Sequence, residues 1–363
     1  MMILVSILGN FHSSVFPIYN EFKDKISTHI VVHDDAFSEQ LKDKKIIRAL
    51  EVFNAKHKLN IITQEHKLDE DSFTSINRLI ETLNTLNTPL ENIYINTTDG
   101  LSNISTVLAS KLLSQGVNFI AYDMYENSYN LTTQESMKNI KLTSSLSIQD
   151  HLELKGFEVS VKGDLDFAHK NKDKILKLFN NYAHEMEFLN KDITQQSTLH
   201  KEQYKHAAGL VQSMGLDASR NAPEITGGLF EYYVYLLVKD MGFDEIAVGV
   251  VINQPIKGKI SVTNEFDILL MKDNHLHMIE CKFRKNVSKH ELVYKYAALI
   301  NVVDDDAMIM ILTNVDTYSQ NIYDEKDMSL ASHRRAFLNN IALRGSILKH
   351  KQEFLDDVRT LFL

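Results

Sequence analysis

Two short apolar runs in the last third of the chain each carry a carboxylate. FDILLM holds Asp267, and HMIECKF holds Glu280 with Lys282 two residues further on. Side chains of a strand alternate faces, so Met278, Glu280 and Lys282 share one face and His277, Ile279, Cys281 and Phe283 the other. On the first run Glu265, Asp267, Leu269 and Met271 share a face. KDNH between the runs reads as a two-residue hairpin turn with Asp273 and Asn274 at its centre. That turn sets Asp267 across from Glu280, and Glu265 across from Lys282.

Directly opposed Cβ atoms stand only ~4.5–5.5 Å apart, where like charges destabilise the pair. Two acids so placed on a half-buried face call for a cation. Hard oxygen donors suit magnesium or manganese, and Lys282 is placed to balance charge as water attacks a phosphodiester. Glu231, in the all-round apolar stretch GGLFEYYVYLLVKDMG, adds a third acid whose burial needs a partner. The candidate catalytic residues are therefore Glu231, Asp267, Glu280 and Lys282, and the candidate metal ligands Asp267, Glu280 and Glu231. The plainer reading is a solvated sheet face with Lys282 in an ordinary ion pair, and Glu231 reaching solvent.

The elements that must hold these residues follow from patterning. Strands are expected at 245–253, 258–262, 265–271, 275–283 and 307–313, with a buried helix at 227–242, another at 287–302 and helices to the C-terminus. That is an α/β unit with a mixed sheet. The first third differs: apolar runs at 3–8, 28–33, 59–63, 92–98 and 117–124 alternate with amphipathic stretches at 36–55, 70–87 and 101–115. Such alternation predicts a mostly parallel sheet covered on both faces, with ligands at the carboxyl ends of its strands. LGNFHSS and NTTDGLSN leave two of those strands. Their backbone N–H groups and hydroxyls could hold phosphate, though Asp99-Gly100 also reads as a plain turn and cap. Residues 164–220 are helical, polar and charged, and read as a connector. The expected domains are 1–150, a connector over 151–220, and 221–363.

Bulk properties bound the function. The chain has 363 residues, 44% hydrophobic and 24% charged, an ordinary globular balance. No apolar run reaches the ~18 residues of a membrane helix, and MMILVSILGNF reads as a first strand rather than a leader. The single cysteine, Cys281, allows no internal disulfide and fits a cytoplasmic setting. A formal net charge of −9 argues against a broad nucleic-acid coating and leaves room for local basic contacts.

Helix acid, strand Asp267, then Glu280-x-Lys282 on the next strand resembles the PD-(D/E)xK nuclease core, with Phe266 where Pro is usual. With the N-terminal unit, the whole chain resembles CRISPR-associated nucleases that join a Rossmann-like CARF sensor domain to a restriction-endonuclease-like domain. The resemblance implies a homodimer that binds cyclic oligoadenylate, cyclic tetra-adenylate above all, across the CARF interface. It implies a manganese- or magnesium-dependent nuclease of type III CRISPR antiviral defence, cutting single-stranded DNA or RNA or nicking duplex DNA.

Carried over by position, the ligand residues are Gly9, Asn10, Phe11 and His12, then Asn96, Thr97, Thr98, Gly100, Ser102 and Asn103. The family commonly has a Thr-Gly-Gly-Thr-Lys-like run in the second loop. Here Thr98-Asp99-Gly100-Leu101-Ser102 stands instead, and Asp99 suits phosphates only if it points away. Tyr294, Lys295, Arg284, Lys285, Arg334 and Arg335 are candidate substrate contacts, or solvated surface charge. Two rivals stand beside this reading: a ligand-independent repair or restriction nuclease, and a non-enzymatic regulator reading DNA with the helices of 164–220.

Overall fold

Short β-branched runs separated by amphipathic stretches build the first unit, residues 1–159 with 253–262. The computed structural model describes residues 2–9, 15–34, 45–68, 72–99, 102–195, 201–217, 222–254, 262–283, 289–303, 307–313 and 330–363. In chain order the unit contains β1 (Met2–Ile7), α1 (Phe16–Phe22), β2 (Ile26–Asp34), α2 (Lys45–Lys56), β3 (Ile62–Leu68), α3 (Ser72–Thr85), β4 (Ile93–Asn96), α4 (Ser102–Leu112), β5 (Asn118–Asp123), β6 (Ser128–Thr132), β7 (Met137–Lys141) and α5 (Ile148–Leu154).

The sheet order is β3-β2-β1-β4-β5-β6-β7. Pairing is parallel from β3 through β5 and antiparallel through β6 and β7. Alternation along β1 sorts its side chains between two cores. Met2 and Leu4 pack with α1 and α2 residues such as Ile18, Tyr19, Leu50 and Phe53. Ile3, Val5 and Ile7 pack with Ile76, Leu79, Leu83, Ile104 and Leu108 of α3 and α4. The chain leaves β1 towards β2 on one side and returns to β4 on the other. The carboxyl ends of β1 and β4 are therefore the switch point at which such sheets bind ligands.

The expected strand at 59–63 forms instead at Ile62–Leu68, as ITQEHKL. It is an edge strand with mostly exposed side chains, so no apolar run marks it. The β6–β7 hairpin was likewise not expected, because SYNLT and MKNIK are too polar to announce strands. The expected helix at 36–55 begins at Lys45 among the described residues; 36–44 lie outside them.

The second unit, residues 160–252 with 263–363, contains α6 (Leu165–Lys170), α7 (Lys172–Asn181), α8 (Ala183–Gln195), α9 (Lys205–Ser213), α10 (Ala222–Val238), β9 (Glu245–Gln254), β10 (Val262–Lys272), β11 (His275–Lys282), α11 (Lys289–Val303), β12 (Ile309–Thr313), α12 (Leu330–Leu338), β13 (Ile341–Arg344) and α13 (Lys351–Phe362), with β8 (Glu158–Val161) at the sheet edge. Its mixed sheet runs β13-β12-β11-β10-β9-β8. The β10–β11 pair is antiparallel, while β11–β12 and β12–β13 are parallel. β8 and β13 went unseen in the sequence because each spans only four residues.

The helices of 165–213 share the core of this unit rather than standing as a segment apart. Ile175, Leu178, Phe179, Met186, Ala207 and Val211 are buried together with Phe230 and Tyr233 of α10. The Phe179 ring lies 5.5 Å from Phe230, 5.0 Å from Tyr233 and 5.5 Å from Phe283, centroid to centroid. An all-round apolar α10 needs cover on every side, and α7 and α8 supply part of it. No helix among the described residues is long and apolar enough to cross a membrane.

A fragment starting at residue 219 is expected to expose Phe230 and Tyr233, bind 8-anilinonaphthalene sulfonate and melt without cooperativity. A fragment starting at residue 158 is expected to melt in one transition. Scanning calorimetry of the two checks this.

Candidate active site

Asp273 and Asn274 both adopt positive φ, 52° and 67°, the backbone of a type I′ turn that Asp and Asn tolerate. The turn fixes the register, and the ladder runs from Lys272↔His275 to Ile268↔Ile279, as the sequence led us to expect. Beyond that point Asp267 Oδ2 accepts the Cys281 N–H at 2.7 Å. A side-chain carboxylate thus joins the strands next to Glu280.

Lys282 meets both acids. Its Nζ stands 3.3 Å from Asp267 Oδ2 and forms an ion pair with Glu280 Oε1. Glu280 is almost wholly buried, at 1% exposure, and its Oε2 has no hydrogen-bond partner among the described residues. Ile279, Cys281 and Phe283 face the core formed with α10, the alternation expected of β11. Glu265, expected across the strands from Lys282, forms an ion pair with Lys162 at 3.3 Å, with both side chains exposed. Lys282 turns inward, to the buried acids.

The electrostatics follow from burial. Desolvation, then the charge of Asp267, pushes Glu280 up to about 7 against the opposing pull of Lys282. The same two causes push Glu231 up to about 8. Burial alone would lower Lys282, but Asp267 and Glu280 more than offset it and hold the amine above its usual range. Burial drives the Cys281 thiol well up, so it stays a neutral core group. Glu231, Asp267, Glu280 and Lys282 form one coupled charge cluster of three acids and one amine.

Sequence reasoning missed Tyr296. Val293, Tyr296 and Ala297 form the buried stripe of α11, and the Tyr296 hydroxyl lies near enough to Glu280 to feel its charge. Burial, then the Glu280 charge, raises Tyr296 far above the usual phenol range, so it remains a donor. Helical periodicity in HELVYKYAAL was the available signal. The neighbouring Tyr294 is engaged elsewhere: the Arg335 guanidinium stands 4.0 Å from its ring centroid and His290 lies 4.5 Å away. Arg334 and Arg335 are exposed; Arg284 and Lys285 lie outside the described residues.

Among the described residues no group of three or more His, Cys, Asp or Glu side chains is arranged to hold a metal ion as it stands. The donor set nevertheless fits a hard divalent cation. Glu280 Oε2 is buried and unpartnered among the described residues, and Asp267 is a carboxylate near enough to Glu231 to help raise it. Lys282 neutralises part of the charge that such a cation would otherwise balance.

In the first unit the expected ligand residues divide into groups. Gly9 and Asp99 meet, with the Gly9 N–H donating to Asp99 Oδ2 at 2.7 Å. A Cβ on Gly9 would stand 1.8 Å from the Asp99 carbonyl oxygen, so only glycine fits. Asn96 is fully buried; its Oδ1 accepts the Thr98 N–H at 3.1 Å and the Thr98 hydroxyl at 2.5 Å. Thr97 Oγ1 donates to the Ile120 carbonyl at 3.1 Å, and Thr98 Oγ1 accepts the Tyr122 N–H at 2.8 Å. These three residues shape the strand end. Asn103 Oδ1 accepts the N–H of Ile104 at 2.9 Å, and Ser102 opens α4. Asn10, Phe11, His12 and Gly100 lie outside the described residues.

Residues 219–331 match the family model of the Card1-like endonuclease domain, and the matched stretch contains Glu231, Asp267, Glu280 and Lys282. The fold also matches solved structures along nearly its whole length. It resembles protein VC1899 from Vibrio cholerae at TM-score 0.75 and 15% identity, covering 99% of this chain and 98% of that one. It resembles Can2 from Sulfobacillus thermosulfidooxidans, solved with cyclic tetra-adenylate, at 0.72 and 17%, covering 98% and 99%. A type III CRISPR defence DNA nuclease activated by cyclic oligoadenylate matches at 0.53 and 13%, over 86% of this chain and 45% of that chain. No curated protein matches in sequence. The resemblance to CARF-domain nucleases drawn from the sequence is borne out by the endonuclease-domain match and these shared folds.

The raised carboxylates have a consequence for stability. Between the ordinary Glu range and about 8, folded Glu231 holds a proton that the unfolded chain has lost. Unfolding then releases protons, so stability falls as pH rises through that window. Without metal, Glu231→Gln is expected to raise the melting temperature at pH 8 by about 2–4 °C or more and to change it little at pH 4.5. Lys282→Met is expected to lower it at pH 8. Thermal melts across pH check both signs.

Proposed function

We propose that the chain is a divalent-metal-dependent endonuclease of type III CRISPR antiviral defence, switched on by a cyclic oligoadenylate, most directly cyclic tetra-adenylate. Its action is in the cytoplasm, on single-stranded DNA or RNA or by nicking duplex DNA. The observation that carries this is the buried Glu280 carboxylate, with one oxygen paired to Lys282 and the other unpartnered among the described residues, inside a domain matching Card1-like endonucleases.

Glu280, Asp267 and Glu231 would hold the manganese or magnesium ion. When bound, such an ion supplies Lewis-acid stabilisation of a phosphoryl oxygen and lowers the pKa of water. The protein's part is positional. Asp267 is fixed by the Cys281 N–H and Glu280 by Lys282. Lys282, kept charged by the two acids, would offset the negative charge that develops on phosphate as water attacks.

For the activator, the reading rests on the switch point between β1 and β4 and on the fold shared with a protein solved with cyclic tetra-adenylate. Gly9 meets Asp99 at that point, and Asn96 and Thr98 shape the end of β4. A ring with two-fold symmetry favours an isologous homodimer. It can shift the protein only through tighter binding to one arrangement.

With manganese, purified protein is expected to cleave single-stranded nucleic acid when cyclic tetra-adenylate is added and to remain near background without it. Equal cleavage in both arms would replace this reading with a ligand-independent nuclease. Glu280→Gln is expected to lose more than about a hundredfold in rate while binding cyclic tetra-adenylate as before, measured by calorimetric titration. Gly9→Ala is expected to do the reverse: activator affinity falls at least about tenfold because the two loops are forced apart, and the melting transition stays cooperative.

A further inference from the structure

Helices α11 and α12 carry basic and aromatic side chains for which the cleavage chemistry has no use. Arg335 of α12 sets its guanidinium 4.0 Å from the centroid of the Tyr294 ring, and the His290 ring lies 4.5 Å from the same ring. His290 Nδ1 in turn shares a hydrogen bond with the buried Ser332 hydroxyl of α12. The result is a stack, His290 to Tyr294 to Arg335, anchored between the two helices at one end and exposed at the other. Lys295 and Arg334, both exposed, stand next to it in sequence.

These cations are not spent on acids. Among the described residues no carboxylate forms an ion pair with Lys295, Arg334 or Arg335, and Glu291, one helical turn before Lys295, is no exception. In a chain of formal net charge −9, three cations without counter-charge on two packed helices make a local basic island, which suits phosphates. Lys295 also sets that island beside the acid cluster. Its Nζ stands 3.0 Å from the Tyr296 hydroxyl oxygen, and Tyr296 lies near enough to Glu280 to feel its charge.

A cation over an aromatic ring is held by the ring's quadrupole, so Arg335 is oriented before anything binds. A guanidinium lying on a ring uses one face there. The other face can stack on a base, and a base offers its own face only where it has left a duplex.

We propose that the Tyr294–Arg335 stack, with Lys295 and Arg334, holds the substrate strand beside the cleavage site and favours nucleic acid with unpaired bases over duplex. The proposal rests on the nuclease reading above and deepens it. Arg335 takes a base on its open face, and Lys295 and Arg334 take backbone phosphates. Every base has such a face and every strand such phosphates, so the recognition is of a single strand rather than of a sequence.

The test is anisotropy of fluorescein-labelled oligothymidylate, oligouridylate and a mixed-sequence duplex, titrated with the full chain while divalent ions are chelated. Wild type is expected to bind the single strands at least about fivefold more tightly than the duplex. Arg335→Lys keeps the charge and loses the plane. It is expected to weaken single-strand binding at least about fivefold, with duplex binding and the slope of log affinity against log salt little changed. Lys295→Gln combined with Arg334→Gln is expected to make that slope shallower by about 1.4, or about 0.7 for each lost phosphate contact. Single-strand affinity of Arg335→Lys within about twofold of wild type overturns the proposal. So does an unchanged salt slope in the double variant, which decides the matter should Arg335→Lys not fold. Wild-type protein that binds no strand, and cuts none with manganese and cyclic tetra-adenylate, overturns the nuclease reading as well. Wild-type binding and cleavage matched by the variants overturn the role of this surface alone.

Discussion

Glu280 sits at 1% exposure, close to two other acids and one amine, and everything distinctive in the second unit bears on that arrangement. A buried carboxylate loses its hydration and needs compensation. Lys282 supplies charge, and Asp267 is held in place by the Cys281 N–H. The compensation is incomplete, since Glu231 and Glu280 are both raised towards or above neutral pH and one oxygen of Glu280 bonds nothing among the described residues. Partial compensation of buried like charges is the signature of a site built for something further. A structural ion pair alone would not need three acids.

The hydrophobic architecture of that unit serves the same end. Strand alternation sends Ile279 and Cys281 of β11, with Phe283 after it, into the core under α10 and Glu280 to the opposite face. The strand is thereby gripped from both sides, and a catalytic group on a rigid strand keeps its geometry better than one on a loop. Phe179 packs on Phe230, Tyr233 and Phe283 at once, so helices far away in sequence brace the strand that bears the chemistry. The first unit is organised separately, around the strand-order reversal between β1 and β4. There Asn96, Thr97 and Thr98 spend their polar groups on shaping the strand end. Asp99 is drawn onto the Gly9 N–H, so the acid that looked unfavourable for phosphate is already engaged.

Much of this was legible in the sequence wherever burial enforces periodicity. The hairpin register followed from Asp273-Asn274 and the alternation of β11, and the parallel sheet from its apolar runs. What escaped did so for physical reasons. β3 is an edge strand with polar faces, β8 and β13 are four residues long, and the polar helices of 165–213 concealed a buried stripe that joins the core. In the site, strand alternation located Glu280 and Lys282, but a lysine with two acids in reach has no sequence rule to fix its partner. Glu265, expected opposite Lys282 in register, makes its ion pair with Lys162. Tyr296 was hidden by its neighbours, since Tyr294 and Lys295 drew attention as exposed groups while the buried member of the triplet is the one that feels the Glu280 charge.

The central claim is that Lys282 shares its acids with a divalent ion. Crystals soaked in manganese, with anomalous scattering recorded at the metal edge, test it most directly. The account predicts one strong peak about 2.0–2.2 Å from oxygens of Asp267 and Glu280, with Oε2 among them. A featureless map there at saturating manganese, with Lys282 still bridging both carboxylates, would contradict it.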